Sequence, residues 1–442
     1  MNRSTTTSWL KALAGVGALS LVLTACGSDT DDGDSSAGSD VDTSGFTNEQ
    51  CADDTSSADT FKVGGILPLT GTLAYLGPPE IAGVGLAVSD VNEAGGVGDA
   101  DSCHQIVDSG DATDMSISTS AAGTMVSAKP SVVVGAASSS VTLNFVDTLT
   151  DNKIVQISPA NTAVNLSGYD PFYFRTAPPD GIQGDALGNL IATDGHEKLA
   201  FLVFNDTYGT GLRNAVQTAF ESSGGEVVYG GKGDGNEFPA GQTTFSAEVT
   251  AALNTNPDAI VILAFDETKT IIPELANAGW DMSKTYLSDG NTADYTEDFE
   301  AGTLEGAQGT IPGADPDQDF KDRLIGWYEY AEDETLTDFA YAAESYDAVI
   351  LAALAAVKGG DTRPVTIQKN LADVSGASGG EECSSYADCV ELLDEGQDIR
   401  YTGPSGIGPI NEKNDPSSAF IGIYTYNADN ENEISGTVEG KS

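Results

Sequence analysis

Between positions 61 and 299 the chain alternates short β-branched runs with stretches of helical period, and no other feature limits its fold as strongly. Residues 61–69 read as a first strand. The loop 71–77 follows, then a helix opened by Pro78-Pro79, proline being suited to a first helical turn. Ile81, Val84, Val88 and Val91 recur at helical spacing until Gly95-Gly96 ends the pattern. Strands are expected over 105–108, 131–134 and 154–157, with a helix over 114–127. Residues 173–176 then run into Pro178-Pro179, which reads as a hinge.

Beyond the hinge the alternation restarts. Helices over 181–193, 211–222, 245–253 and 268–278 separate strands over 199–204, 226–229, 259–265 and 285–287, and 292–299 reads as a weak helix. Residues 309–312 read as a second crossing, 317–331, 338–357 and 366–374 as helices, and 407–410 and 420–426 as closing strands. On the 338–357 helix Phe339, Ala342, Ala343, Tyr346, Val349, Ile350 and Leu354 share one face. Strands alternating with helices form parallel sheets covered on both faces. The expected fold is α/β, with two doubly wound parallel-sheet lobes. Ligands of such sheets bind beyond the carboxyl ends of the strands, so facing lobes enclose a cleft there.

Within this series, 131–147 (SVVVGAASSSVTLNFVD) carries the most chemistry. A β-branched run ends in Gly135-Ala136-Ala137. Ser138-Ser139-Ser140 then stands where a helix begins, ahead of Val141, Leu143, Phe145, Val146 and Leu149. Serine is a favoured N-cap, and a helix N-terminus offers free N–H groups and a positive dipole end to a carboxylate. Ordinary capped turns share this pattern, and taken alone the stretch favours that plainer reading. Its place in the two-lobe alternation turns it toward an anion cradle.

Residues 1–25 lie outside the expected fold. Arg3 and Lys11 precede an apolar run, 12–25, that is too short to span a membrane and has the form of a secretory signal. It ends in Leu23-Thr24-Ala25-Cys26, which resembles the lipobox of bacterial lipoproteins. That resemblance implies lipidation of Cys26 and anchorage to the outer face of the cell membrane. Residues 26–60, rich in Gly, Ser, Thr and Asp, read as a flexible tether spanning roughly 30 Å. Cys51, Cys103, Cys383 and Cys389 remain, an even number that suits two disulfides in an oxidising compartment. Of three possible connectivities, Cys51–Cys103 with Cys383–Cys389 is preferred, as a clip on the tether's end and a local staple.

Neither cysteine spacing suits zinc, and His104 and His196 read as surface residues, so no metal is expected. Acidic residues number 68 against 19 basic ones, which excludes nucleic acid as a partner. The excess acid speaks for solubility rather than for any fold or ligand. Residues 29–34 and 427–433 lack the Gly and Glu spacing of a calcium loop and read as solvated surface.

The order of motifs resembles the leucine/isoleucine/valine-binding proteins, the type I periplasmic solute-binding proteins of branched-chain amino acid ABC transporters. The pieces that carry the resemblance are Ile66-Leu67-Pro68-Leu69-Thr70-Gly71, Asn92-Glu93-Ala94-Gly95-Gly96, Val134-Gly135 with its serines, Ile157-Ser158-Pro159-Ala160-Asn161-Thr162, Asp206-Thr207-Tyr208-Gly209 and Tyr401-Thr402-Gly403-Pro404-Ser405-Gly406. They run in order through 61–426. The resemblance implies three hinge crossovers and discontinuous lobes, one of 61–177 with 310–405 and the other of 178–309 with 406–442.

It also implies a site. Ser139, with Ser138 and Ala137, would hold a ligand carboxylate. The Ala160 carbonyl and the Thr162 hydroxyl, with Asn161 between them, would accept from its ammonium. Asp289 falls where the family has a longer glutamate that pairs with that ammonium. Tyr208 would close from the second lobe, Leu76 would line the side-chain pocket, and Phe265 or Asp266 falls at an aromatic contact. A zwitterion requires donors at one end and an acceptor charge at the other. The implied function is capture of a small zwitterion, a branched-chain or other aliphatic amino acid, by a monomer that delivers it to an ABC permease. A short amide, urea or an aromatic acid is the alternative ligand, and ligand sensing without transport the alternative role. The sequence holds no phosphate loop or nucleophile–base pair, and Gly83-Val84-Gly85 lacks the third glycine of a dinucleotide fingerprint. Neither catalysis nor a cofactor is expected.

Overall fold

In a computed structural model, residues 45–52, 60–98 and 100–441 are described, and over them the alternation resolves into two sheets. The expected signal segment 1–25, the expected lipidation site Cys26 and most of the expected tether 26–60 lie outside the described residues. The chain opens with β1 (Phe61–Leu67), buried along its whole length because helices cover both of its faces. Next come α1 (Gly77–Glu93), β2 (Ser102–Asp108), α2 (Met115–Ala128), β3 (Val132–Gly135), α3 (Ser139–Asp151), β4 (Val155–Ser158) and β5 (Tyr173–Arg175). These strands pair in parallel in the order β2-β1-β3-β4-β5. The order reverses between β1 and β3, and a crevice opens at their carboxyl ends.

The second sheet repeats the device. After α4 (Asp180–Thr193) come β6 (Lys198–Val203), α5 (Thr207–Ser222), β7 (Glu226–Tyr229), α6 (Ser246–Leu253), β8 (Ala259–Leu263), α7 (Thr268–Asn277), β9 (Thr285–Leu287) and β10 (Gln308–Pro312). The chain then returns to the first lobe through α8 (Gln318–Glu332), α9 (Ala342–Gly359) and α10 (Pro364–Val374), whose apolar faces join the core of β1, β3 and β4. A small pair, β11 (Glu381–Cys383) and β12 (Ile399–Tyr401), flanks α11 (Tyr386–Asp394). Finally β13 (Ser418–Tyr426) and β14 (Asn432–Lys441) complete a sheet of order β14-β13-β10-β9-β8-β6-β7.

Several expectations need correction. The second sheet is mixed, because β13 and β14 run antiparallel at its edge. Residues 292–299 form turns rather than a helix, and the Asp294 side chain there accepts from Thr296 N. Residues 407–410 form no strand, and Ile410 pairs only with Pro416 in an isolated bridge. The chain leaves the second sheet after Pro312 rather than Gly309. It then stays against the first lobe beyond Ser405, because Asp415 forms a buried ion pair with Arg175 at 2.7 Å.

Residues 45–52, expected to be part of a flexible tether, are docked instead. Trp327 donates to Thr47 O, Thr47 N donates to Ser89 Oγ, and Cys51 is bonded to Cys103. The second disulfide joins Cys383 to Cys389. His104 is not a surface residue: it lies 1% exposed beneath this segment, and burial lowers its pKa to about 4.

Gly83 and Gly85 serve packing. A Cβ at Gly85 would lie 1.9 Å from the Trp327 ring, and one at Gly83 would lie 2.2 Å from Ala342 O. Bare positions on α1 let α8 and α9 approach it closely. Gly85→Ala is therefore expected to destabilise the fold by about 1–3 kcal/mol through overpacking. Chemical denaturation should show a lower midpoint with an unchanged slope.

Candidate functional site

Four loops of the first lobe and three of the second converge on one cavity. Two of the first-lobe loops follow β1 and β3, on either side of the switch point, and the others follow β4 and precede α9. In the β3 loop Ser138 has extended backbone and caps α3, its Oγ accepting from Val141 N at 3.4 Å and lying 3.1 Å from Ser140 Oγ. Ser139, 2% exposed, opens the helix and accepts from Ala163 N at 3.3 Å. Its own hydrogen is left to donate, beside the unpaired N–H groups of a first helical turn.

The β4 loop braces this cradle. Asn161 donates to Ala136 O at 3.0 Å and Ala137 O at 2.7 Å, and accepts from the Tyr173 hydroxyl. Arg175 donates to Asn161 O and Ala163 O at 3.1 and 3.0 Å while its Nε engages Asp415. One buried guanidinium thus sets the loop that carries Ala160.

From the second lobe, Asp206 caps α5 by accepting from Tyr208 N at 2.8 Å. That aims Tyr208 inward, where its hydroxyl lies 2.7 Å from Asp289 Oδ1 and 2.7 Å from Ser288 Oγ. Phe265, after β8, stacks on Tyr208 with centroids 5.6 Å apart. The other Asp289 oxygen accepts from Tyr341 of the first lobe at 2.6 Å, and Tyr75 donates to the Asp289 carbonyl at 2.9 Å. Burial pushes the Asp289 carboxyl above the ordinary range, and the two tyrosine donors oppose that rise. Burial, and then the nearby Asp289 charge, hold the Tyr208 and Tyr341 hydroxyls well above 10, so both stay donors.

Leu76, Ala137, Ser138, Ser139 and Ala160 from one lobe therefore meet Tyr208, Phe265 and Asp289 from the other around a cavity of about 20 Å³. That is room for a single water. Asp266 faces a neighbouring recess instead. Asn161 and Thr162 do not line the cavity. Asn161 spends its amide on the serine loop, and Thr162 is buried behind, its carbonyl accepting from Asp180 N at 2.7 Å.

Leu73, Gly290 and Tyr341 complete the wall and were not expected. Leu73 shares the glycine-bounded 71–77 loop with Leu76, which was a usable signal. Tyr341 lies out of phase with the apolar face of the following helix; it has left-handed backbone (φ 61°) and α9 starts only at Ala342. Donors at one end, a carboxylate at the other and apolar side chains between them suit a small zwitterion. Among the described residues no group of His, Cys, Asp and Glu is arranged to hold a metal ion.

The sequence profile of the periplasmic binding protein family matches residues 60–380. The leucine-, isoleucine-, valine-, threonine-, and alanine-binding protein of Pseudomonas aeruginosa is 33% identical over 175 residues, covering 39% of this chain and 46% of its own length. The Leu/Ile/Val-binding protein of Escherichia coli K12 is 31% identical over 204 residues, covering 46% of this chain and 53% of its own length. The chain thus spans about half the length of the curated relatives it matches. A leucine binding protein of Thermotoga maritima superimposes with a TM-score of 0.69 at 20% identity, over 86% of this chain and 99% of that one. A branched-chain amino acid transporter substrate binding protein of Streptococcus pneumoniae does so with a TM-score of 0.69 at 22% identity, over 87% and 100%. At these identities the structural likeness is one of fold.

Behind the cavity, Asp180 is fully buried, and neither of its carboxylate oxygens has a hydrogen-bond partner. Burial pushes its pKa up to about 7. A pKa raised on folding makes a contribution that is fully present below the ordinary carboxylate range and lost as pH rises through about 7. Asp180→Asn should therefore be more stable than wild type at about pH 8, by about 1–3 kcal/mol, with the gain gone near pH 4. Denaturant melts across that range check the convergence.

Proposed function

This chain belongs to the periplasmic binding protein family, and from that premise we propose that it captures a small zwitterion, a branched-chain or other aliphatic amino acid, for import by an ABC permease. One juxtaposition carries the reading: a serine-capped helix N-terminus and the cation-free carboxylate of Asp289 line the same interlobe cavity. The ligand carboxylate would accept from Ser139 and the first N–H groups of α3. The ammonium would donate to Asp289 and to the Ala160 carbonyl. Leu73, Leu76 and Phe265 would cover the side chain. The relatives named for binding leucine, isoleucine and valine support this choice.

A neutral amide or an aromatic acid would bring no cation to Asp289, and leaving that charge buried and unpaired is costly. No reaction is assigned to the site, because none of its groups forms a nucleophile–base pair. The cavity of about 20 Å³ is smaller than any amino acid, so entry requires the lobes to part about the crossings near 178, 313 and 417. The Leu23–Cys26 motif supports a lipid anchor that keeps a monomer beside its permease, outside the cytoplasm. No helix among the described residues is long and apolar enough to cross a membrane.

Calorimetric titration with leucine, isoleucine, valine and alanine tests the reading. Asp289→Ala is expected to abolish measurable binding, and retained affinity would remove Asp289 from the site. Ser139→Ala should weaken binding by about 1–3 kcal/mol, the cost of a lost donor to a buried group. An unaltered dissociation constant would move the carboxylate contact elsewhere. Affinity should also fall on acidification, starting above the usual carboxylate range, because protonation of Asp289 removes the counter-charge.

A further inference from the structure

A second cavity lies behind Tyr341. Its volume is about 250 Å³, against about 20 Å³ for the first, and Tyr341 stands in the wall of both. The carboxylates of Asp294, Asp315, Asp338, Glu344 and Glu431 line it, and Lys321 is the only cationic side chain among its described lining residues. Lys321 is already engaged: its Nζ lies 2.6 Å from Asp315 and 5.7 Å from the centre of the Phe339 ring. That contact illustrates what the wall accepts, an ammonium held by a carboxylate over an aromatic face.

Glu344 has no such partner. It sits in the first turn of α9, 3% exposed, and its Oε1 has no hydrogen bond. This oxygen lies against Gly313, where a Cβ would come within 2.2 Å of it. Surface acids are ordinary in a chain of net charge -49. A buried carboxyl with an unpartnered oxygen, beside a cavity large enough for an organic cation, is not.

We propose that this cavity is a second binding site, for a primary alkylammonium, anchored by Glu344 with Asp338 as its second acceptor. A primary ammonium has three N–H donors, enough for both carboxyls, and its alkyl chain can lie along Tyr341 and Tyr424. A metal ion is the poorer occupant, since no group of three His, Cys, Asp or Glu among the described residues is arranged to hold one. Burial raises the Glu344 carboxyl, and pushes Asp338 up to about 6, as befits acids without a counter-charge. Lys321 and Tyr341 come from the first lobe, Tyr424 and Asn432 from the second. The occupant therefore touches both lobes and the crossing at Gly313.

The test is calorimetric titration of the full chain with n-butylammonium chloride, with sodium chloride at equal ionic strength as the control. Saturable binding is expected only with the amine. It should weaken at least tenfold in Glu344→Gln and in Asp338→Asn, and either variant suffices if the other fails to fold. Asp289→Ala, which removes the first site's counter-charge, is expected to keep the amine signal, so this site and the amino-acid reading can fail separately. Amine binding no stronger than the salt control, or equal in wild type and the Glu344 and Asp338 variants, would overturn the proposal. Displacement of the amine by equimolar calcium would also overturn it, by assigning the cavity to a metal ion.

Discussion

Asp289 is a buried carboxylate whose cavity contains no lysine or arginine, and the closed arrangement of the lobes turns on how it is held. Carrying a carboxylate out of water costs several kcal/mol unless donors and a counter-charge replace what water supplied. Donors are present. Tyr208 serves it from its own lobe and Tyr341 from the other, and Tyr75 reaches across to its carbonyl. The counter-charge is absent. A ligand ammonium is the group that would complete this set, and two of the three tyrosines are contacts that exist only when the lobes meet.

The rest of the architecture delivers groups to that point. Each sheet reverses its strand order once, between β1 and β3 in one lobe and between β6 and β8 in the other. The loops beyond those strands carry the serines and leucines on one side and Tyr208 and Phe265 on the other. Positioning lies one layer further back. Asn161 and Arg175 line no part of the cavity, yet between them they bond four backbone carbonyls of the loops that do. The Arg175–Asp415 ion pair also fastens the third crossing to the first lobe.

Much of this was legible in the sequence because burial writes regular patterns. The β-branched runs 131–134 and 259–265 and the periodic apolar positions of α1 mark covered sheets. Ser138 stands where capping chemistry requires it. Other parts left no such mark. β14 is an edge strand of mostly polar, exposed residues without an apolar alternation, so its pairing with β13 was invisible. Thr162 and Asn161 belong to a loop that reads as ligand-facing, and only the fold shows one turned toward Asp180 and the other toward the serine loop. Tyr341 escaped because it falls inside the expected 338–357 helix, whereas α9 starts only at Ala342. His104 was misjudged because the segment that buries it, 45–52, looks from its composition like tether.

The central claim is that one cavity recognises opposite charges at the two ends of a ligand, and blocking each end separately tests it most directly. The protein would be titrated by calorimetry with leucine, N-acetyl-leucine and leucinamide under identical conditions. Binding of free leucine alone is expected, since acetylation removes the cation owed to Asp289 and amidation removes the anion owed to Ser139. Binding of N-acetyl-leucine as tight as that of leucine would contradict the account.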